Sequence, residues 1–139
     1  MRSMQPMYFI DQNYGWIGAE QGKILHTTDG GLTWGLQETS ATNRPITGIH
    51  FINAKEGWAI APQRRDGGYI LHTISGGKYW QILGRTNQAG IGVYFLDKDS
   101  GWIVLANGTS LITANGGQTW NIRTNNFTRP SSADQIFRP

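Results

Sequence analysis

The chain is one unit written three times, and that repeat constrains every other reading of it. TTDGGLTW at 27–34 recurs as TISGGKYW at 73–80 and as TANGGQTW at 113–120. Each copy closes a longer unit that opens on an apolar run with Phe9, Phe51 or Phe95, followed by Gly15-Trp16, Gly57-Trp58 or Gly101-Trp102. From the Phe to the first Trp is seven residues in all three units. From the first Trp to the second is 18 residues in units one and three and 22 in unit two, so unit two carries a four-residue insertion within PQRRDGG, 62–68. The period, Phe to Phe, is 42 and then 44 residues. A period of about 40 to 45 residues with four strands per unit marks propeller blades.

Each unit reads as four short strands. The first covers roughly 6–11, 46–52 and 90–96, and the second starts at the Gly-Trp pair. The third is GKILHTT, GYILHTI or TSLITA; the fourth, TWGLQ, YWQIL or TWNIR, begins at the last Trp or just before it. The residues are β-branched and aromatic, Gly, Asn and Asp punctuate them, and no stretch keeps a helical period. The expected fold is all-β: propeller blades of four antiparallel strands within one domain, 1–139. Blade one is expected at about 4–40, blade two at about 44–85 and blade three at about 88–125. Residues 126–139 are a tail or the start of a further blade. Arg44-Pro45 leads by seven residues into Phe51, and Arg129-Pro130 leads by eight from its Arg into Phe137, so SSADQIFRP reads as the first strand of a fourth unit.

Composition narrows the chemistry. Nineteen Gly fit a chain with many tight turns, and six Trp, five Tyr and five Phe supply large surfaces to bury. With no Cys there is no disulfide, thiolate nucleophile or Cys-metal site. No run of apolar residues is long enough for a membrane-spanning helix. MRSMQPMYF lacks the apolar core of a signal peptide, which fits a cytosolic protein or one whose leader has been removed.

The boxes fit [ST]-x-[DNS]-x-G-x-x-W. Thr27, Thr73 and Thr113 open them, and Asp29, Ser75 and Asn115 share one position. All three of the latter carry short side chains that bond to nearby backbone N–H groups. Gly31, Gly77 and Gly117 stand where the hairpin needs positive φ, and Trp34, Trp80 and Trp120 are anchors to pack between sheets. A catalytic or metal-binding Asp29 is at odds with the repeat, because Ser and Asn replace it. The expected role is a turn lock.

The box resembles the Asp-box, or bacterial neuraminidase repeat. The longer unit, F-[IL]-[DN]-x-x-x-G-W followed by [IL]-x-T-x-[DNS]-G-G-x-x-W, resembles the photosystem II stability/assembly factor family over residues 9–120. Similar units occur in sialidases, xyloglucan-cleaving propellers and sortilin-type receptors. The resemblance implies a propeller of about seven blades. It also implies an Arg-rich face that holds newly made photosystem II reaction-centre protein, and a place in the thylakoid lumen, periplasm or another extracytoplasmic space. Three blades depart from that pattern. The ring is then expected to close by homo-oligomerisation or within a longer polypeptide.

In a propeller the fourth-to-first and second-to-third connections share one face. That set holds Arg2, Lys23, Arg44, Arg64, Arg65, Arg85, Arg123 and Arg129 against Glu20, Glu38 and Asp66. The other set holds Asp11, Asp29, Glu56, Asp97 and Asp99 against Lys55, Lys78 and Lys98. A net charge of +3 thus conceals a one-sided distribution, and the basic side is nearly all Arg. Arg suits carboxylates, phosphates and aromatic faces. Arg44, Arg64, Arg65, Arg85 and Arg129 are the candidate partner-binding residues, for an acidic protein segment or a membrane-protein precursor.

The chemistry of the related enzymes is harder to place. Sialidases use an Arg triad, a Tyr with a Glu, and a further acid, and these units supply no such set at a recognisable spacing. Xyloglucan cleavage needs two carboxylates across a cleft, and Glu20 with Asp66 is the pair on offer. His26 and His72 share a position that is Ile112 in unit three, which suits packing better than proton transfer. His50 stays open. HExxH, Walker A, GxSxG and GxGxxG are all absent. Nucleic acid would need exposed aromatics beside the Arg residues, whereas most aromatics here hold repeat positions. The expectation is a non-enzymatic binding scaffold with no cofactor, no metal and no nucleic acid. The alternative is a sialidase-like or xyloglucanase-like Asp-box glycosidase, or a carbohydrate-binding propeller.

Overall fold

Short β-branched and aromatic runs between glycine turns favour a meander, in which each strand pairs with the next. A computed structural model, describing residues 6–39, 41, 44–63 and 67–123, shows three of them. Sheet one is β1 (Met7–Phe9), β2 (Gly15–Gly18), β3 (Lys23–Thr27) and β4 (Gly35–Glu38). Sheet two is β5 (Gly48–Phe51), β6 (Gly57–Gln63), β7 (Gly67–Thr73) and β8 (Gln81–Thr86). Sheet three is β9 (Gly90–Phe95), β10 (Gly101–Leu105), β11 (Ser110–Thr113) and β12 (Asn121–Arg123). All neighbours are antiparallel and in sequence order, so the sheets are propeller blades.

The Gly-Trp pair has a steric cause. Phe9 pairs with Gly15, Phe51 with Gly57 and Phe95 with Gly101. In each pair the Phe ring lies over the glycine, and a Cβ at Gly15 or Gly57 would come within 2.5 Å of it. The following Trp faces the next blade. Trp16 stacks on Phe51 with centroids 3.6 Å apart and planes 4° from parallel, and Trp58 stacks on Phe95 at 3.5 Å and 4°. The indole N–H of Trp16 donates to Gly76 O at 3.0 Å, and that of Trp58 to Gly116 O at 3.2 Å. Both acceptors belong to the box turn of the next blade.

The core therefore lies between blades. One cluster joins Trp16 and Ile24 of blade one to Ile49, Phe51, Ala59 and Leu71 of blade two; a second joins Ile60 and Ile70 of blade two to Ile103, Leu105 and Leu111 of blade three. Trp80 packs into the first and Trp120 against the second, each edge-on to the Phe of its own blade.

The box is a turn closed by its own side chains. Thr27 Oγ1 accepts the Gly31 N–H at 2.9 Å, and Thr73 and Thr113 accept from Gly77 and Gly117 at the same distance. Asp29 Oδ1 accepts the Thr33 N–H at 2.9 Å, Ser75 Oγ that of Tyr79 at 3.0 Å and Asn115 Oδ1 that of Thr119 at 3.0 Å. Both glycines of each box adopt positive φ, between 72° and 98°. The first connection of each blade is locked too: Asp11, Asn53 and Asp97 each accept two backbone N–H groups at 2.8–2.9 Å. Gly30, Gly76 and Gly116 then donate to Asn13, Lys55 and Asp99 carbonyls, all at 2.9 Å, which ties the two turns together.

Two details differ from the sequence reading. The fourth strand starts after the box Trp, because Trp34 and Trp120 are held in the turn by indole N–H bonds to Gly31 O and Gly117 O, at 3.1 and 3.0 Å. The insertion in blade two adds ladder as well as loop: β6 and β7 stay paired out to Gln63 and Gly67. Residues 124–139, and with them the proposed strand of a fourth blade, lie outside the described residues.

Replacing Trp58 with Ala should lower stability by about 3–5 kcal/mol in urea unfolding, from lost burial and the space left behind. Phe95→Ala should cost a comparable amount. A double-mutant cycle should return a coupling of about 0.5–1.5 kcal/mol, and strictly additive losses would refute a stacked unit.

The Thr33 hydroxyl, the Thr33 N–H and the Thr27 hydroxyl hold the Asp29 carboxyl down at about 2, below its ordinary 3.8. A lowered folded-state value adds stability above the unfolded-state value, and that stability is lost as pH falls through the folded-state value. Asp29→Asn should keep the turn at neutral pH, since Asn115 makes the same bonds. Between about pH 4 and pH 2 its melting temperature should fall less than that of the parent chain. Parallel acid profiles would show that the carboxylate charge is irrelevant.

Candidate partner-binding face

Blade one shows how the basic side is assembled. After β2 the chain turns through Gln21 and Gly22, with φ of 62° and 72°. Gly22 N–H donates to Arg44 O at 2.6 Å, and its carbonyl accepts the Thr39 hydroxyl at 2.8 Å. Ile46 N–H donates to Ala19 O at 2.9 Å. The link from blade one to blade two is thus fastened across the β2–β3 turn, and Arg44 is fixed at that end of the molecule.

Arg44 and Arg85 meet on one ring. The Arg44 guanidinium carbon lies 4.2 Å from the Tyr69 centroid, and that of Arg85 lies 5.1 Å from it. Tyr69 is on β7, directly opposite Arg85 on β8. The sequence reading puts Arg85 in a connection; it stands on a strand because β8 runs on to Thr86 to cover the lengthened β6–β7 hairpin. Each guanidinium–ring contact near a surface contributes about 0.5–1 kcal/mol and keeps the cation in place. Arg44 is half-buried and Arg85 exposed. Arg64, Arg65 and Arg129 lie outside the described residues, as does Asp66.

Tyr69 is the member of this group that sequence reasoning missed. Its repeat position holds Lys23 in blade one and Thr109 in blade three, so it does not belong to the repeated framework. That variation was the available signal.

The remaining candidates have structural surroundings. Thr27, Asp29, Gly31 and Trp34, with Thr73, Ser75, Gly77 and Trp80 and with Thr113, Asn115, Gly117 and Trp120, form the three box turns, on connections that share the other side of the blades. His26 stacks on Trp16 at 4.9 Å, and His72 on Trp58 at 5.1 Å while bonding Glu56 Oε2 at 2.8 Å. His50 is buried between Tyr8 and Tyr94, at 4.9 and 4.6 Å, and its burial lowers its pKa. Glu20 on the β2–β3 turn is exposed. Among the described residues, no three His, Asp or Glu side chains converge as a metal-ligand set.

Residues 2–90 match a family model described as photosynthesis system II assembly factor YCF48. No protein among curated sequences matches the chain. Solved structures do. A YCF48 bound to a D1 peptide is 23% identical, with a TM-score of 0.74; the match covers 84% of this chain and 39% of that one. YCF48 from Cyanidioschyzon merolae is 23% identical, with a TM-score of 0.72, over 96% of this chain and 42% of that one. An ancestral GH74 enzyme is 11% identical, with a TM-score of 0.65, over 86% and 18%. At these identities the structural likeness shows the fold, that of a β-propeller. The chain spans about two fifths of the length of the YCF48 chains it matches. The family match covers well over half of the sequence, and the chain belongs to the photosynthesis system II assembly factor YCF48 family.

Proposed function

We propose that the chain is a non-enzymatic scaffold that holds an acidic segment of a partner protein on its Arg-rich side. The observation that carries this reading is the pair Arg44 and Arg85 gathered over Tyr69. Guanidinium is suited to carboxylates, and the ring contacts steady each cation before a ligand arrives. Less side-chain entropy is then lost on binding. Arg64 and Arg65 belong to the same proposed surface, being joined to it through the β6–β7 hairpin, and Arg129 is proposed with them. Membership of the assembly-factor family supports a protein partner. The D1 peptide bound by one similar YCF48 supports a photosystem or other membrane-protein precursor segment as that partner. A complete ring, supplied by further chain or by a second copy, is part of the proposal.

The test is fluorescence anisotropy with a labelled acidic peptide. Affinity should fall steeply between low salt and ~0.5 M salt, where the screening length shrinks to a few ångströms. Arg44→Ala combined with Arg85→Ala should weaken binding about tenfold or more, the equivalent of at least one charge-assisted contact. Arg64→Ala combined with Arg65→Ala should add to the loss. Salt-insensitive affinity, or unchanged binding in both double variants, would refute the Arg-side assignment.

A further inference from the structure

The two seams inside the molecule share one stacked arrangement and differ in the chemistry around its histidine. Trp16 stacks on Phe51 of the next blade and also on His26 of its own, at 4.9 Å and 11°. Trp58 does the same with Phe95 and with His72, the latter at 5.1 Å and 28°. His26 and His72 hold one repeat position, each directly opposite its Trp on the neighbouring strand. The Trp carries the seam, because its ring covers the Phe of the next blade and its N–H reaches that blade's box turn. A change of charge on the His bears directly on that contact.

Glu56 is what distinguishes the two seams. It stands one residue before Gly57-Trp58, and its Oε2 lies 2.8 Å from His72 Nε2. A proton gained by His72 thus meets a carboxylate. Blade one has Tyr14 at the Glu56 position, with its ring centroid 6.4 Å from that of His26. His26 Nε2 is shielded from solvent and has no hydrogen-bond partner. The groups facing this imidazole are Tyr14 from the β1–β2 connection, Trp16 from β2 and Gly35 from β4, none of them charged. The acids of the adjoining turns, Asp11 and Asp29, are bonded to turn N–H and hydroxyl groups. Among the described residues no carboxylate pairs with His26. A proton on its Nε2 would be a buried donor without an acceptor. Stacking on Trp16 favours a cationic ring but supplies no acceptor.

We infer that His26 is an acid-sensitive release for the seam between blades one and two, while the Glu56–His72 pair keeps the seam between blades two and three closed under the same conditions. Burial holds the His26 pKa below its ordinary 6.5. An opened seam accepts a proton that the closed seam resists. The closed seam therefore loses stability as pH falls from about 6.5 towards the lower, folded-state value. His50, between Tyr8 and Tyr94, is lowered chiefly by burial too, so overall stability does not single out His26. The link that carries Arg44 runs from blade one to blade two, and opening this seam would shift Arg44 relative to Tyr69 and Arg85. The inference itself does not rest on the acidic-segment reading.

Indole N–H exchange, read by NMR on the intact protein, tests it. The Trp16 and Trp58 indoles report the two seams separately, and their ratio cancels the intrinsic pH dependence of exchange. Lowering the pH from ~7.5 to ~5.5 should raise the Trp16-to-Trp58 exchange ratio about threefold or more. His26→Ile, which installs the residue that blade three carries as Ile112, should leave the ratio flat. Tyr14→Glu, which gives His26 the kind of partner His72 has, should flatten or reverse the response. Circular dichroism checks folding, and His26→Ile decides the matter alone if Tyr14→Glu does not fold. A parent ratio indifferent to pH overturns the inference. So does a pH response that persists in His26→Ile or in a folded Tyr14→Glu.

Discussion

Everything in this molecule hangs on one contact, a tryptophan of one blade lying flat on a phenylalanine of the next. Trp16 on Phe51 and Trp58 on Phe95 repeat it to within 0.1 Å in separation and at the same interplanar angle. The contact needs three residues at fixed spacing. The Phe must lie over a position without a Cβ, and that position is the Gly before the Trp. The Trp must then reach the Phe of the following blade while its N–H finds a carbonyl. That carbonyl is in the box turn, which explains why the most distinctive stretch of the sequence sits where it does. A buried indole N–H without an acceptor would cost about 1–3 kcal/mol at each interface.

The box and the Asp, Asn and Asp of the first connection are two halves of one device. Each closes a tight turn with a short side chain, and a glycine N–H joins the two turns. The joint fixes the box glycine carbonyl in space, so that the neighbouring Trp meets an acceptor of constant geometry. Local turn chemistry therefore sets inter-blade spacing. It also uses up the acids of these turns: Asp29 has both carboxylate oxygens bonded, at 2.8–2.9 Å and 2.6 Å, and Asp97 accepts two N–H groups. Their lowered pKa values follow from those bonds, as expected of turn locks, without any substrate to activate.

Much of the fold was legible because it is repeated. Three copies turn a weak strand signal into a period, and substitution across copies separates framework from chemistry, as with Asp29, Ser75 and Asn115. The same comparison did not reveal what each aromatic does. Gly-Trp and the box Trp look alike as spaced anchors; only the folded arrangement shows that Trp16 and Trp58 stack across blades while Trp80 and Trp120 pack edge-on to their own Phe. Nor could spacing show that a four-residue insertion lengthens β6, β7 and β8 together, moving Arg85 onto a strand opposite Tyr69. Such cross-strand neighbours depend on register, which composition does not encode.

The candidate site inherits its character from this arrangement. A repeat fixes the blades, so whatever differs between blades is free to serve something else. Tyr69 is such a difference, standing where the other units have Lys23 and Thr109, and the insertion that carries Arg64 and Arg65 is another. Both belong to blade two, which among the described residues contributes to both core clusters, so the Tyr69 ring that Arg44 and Arg85 contact stands on a blade packed from both sides. The energy that places Arg44 there comes from backbone bonds at Gly22 and Ile46, which no ligand has to supply. Preorganisation of this kind favours tight contact over a small area, the economical way for a shallow surface to hold an extended segment.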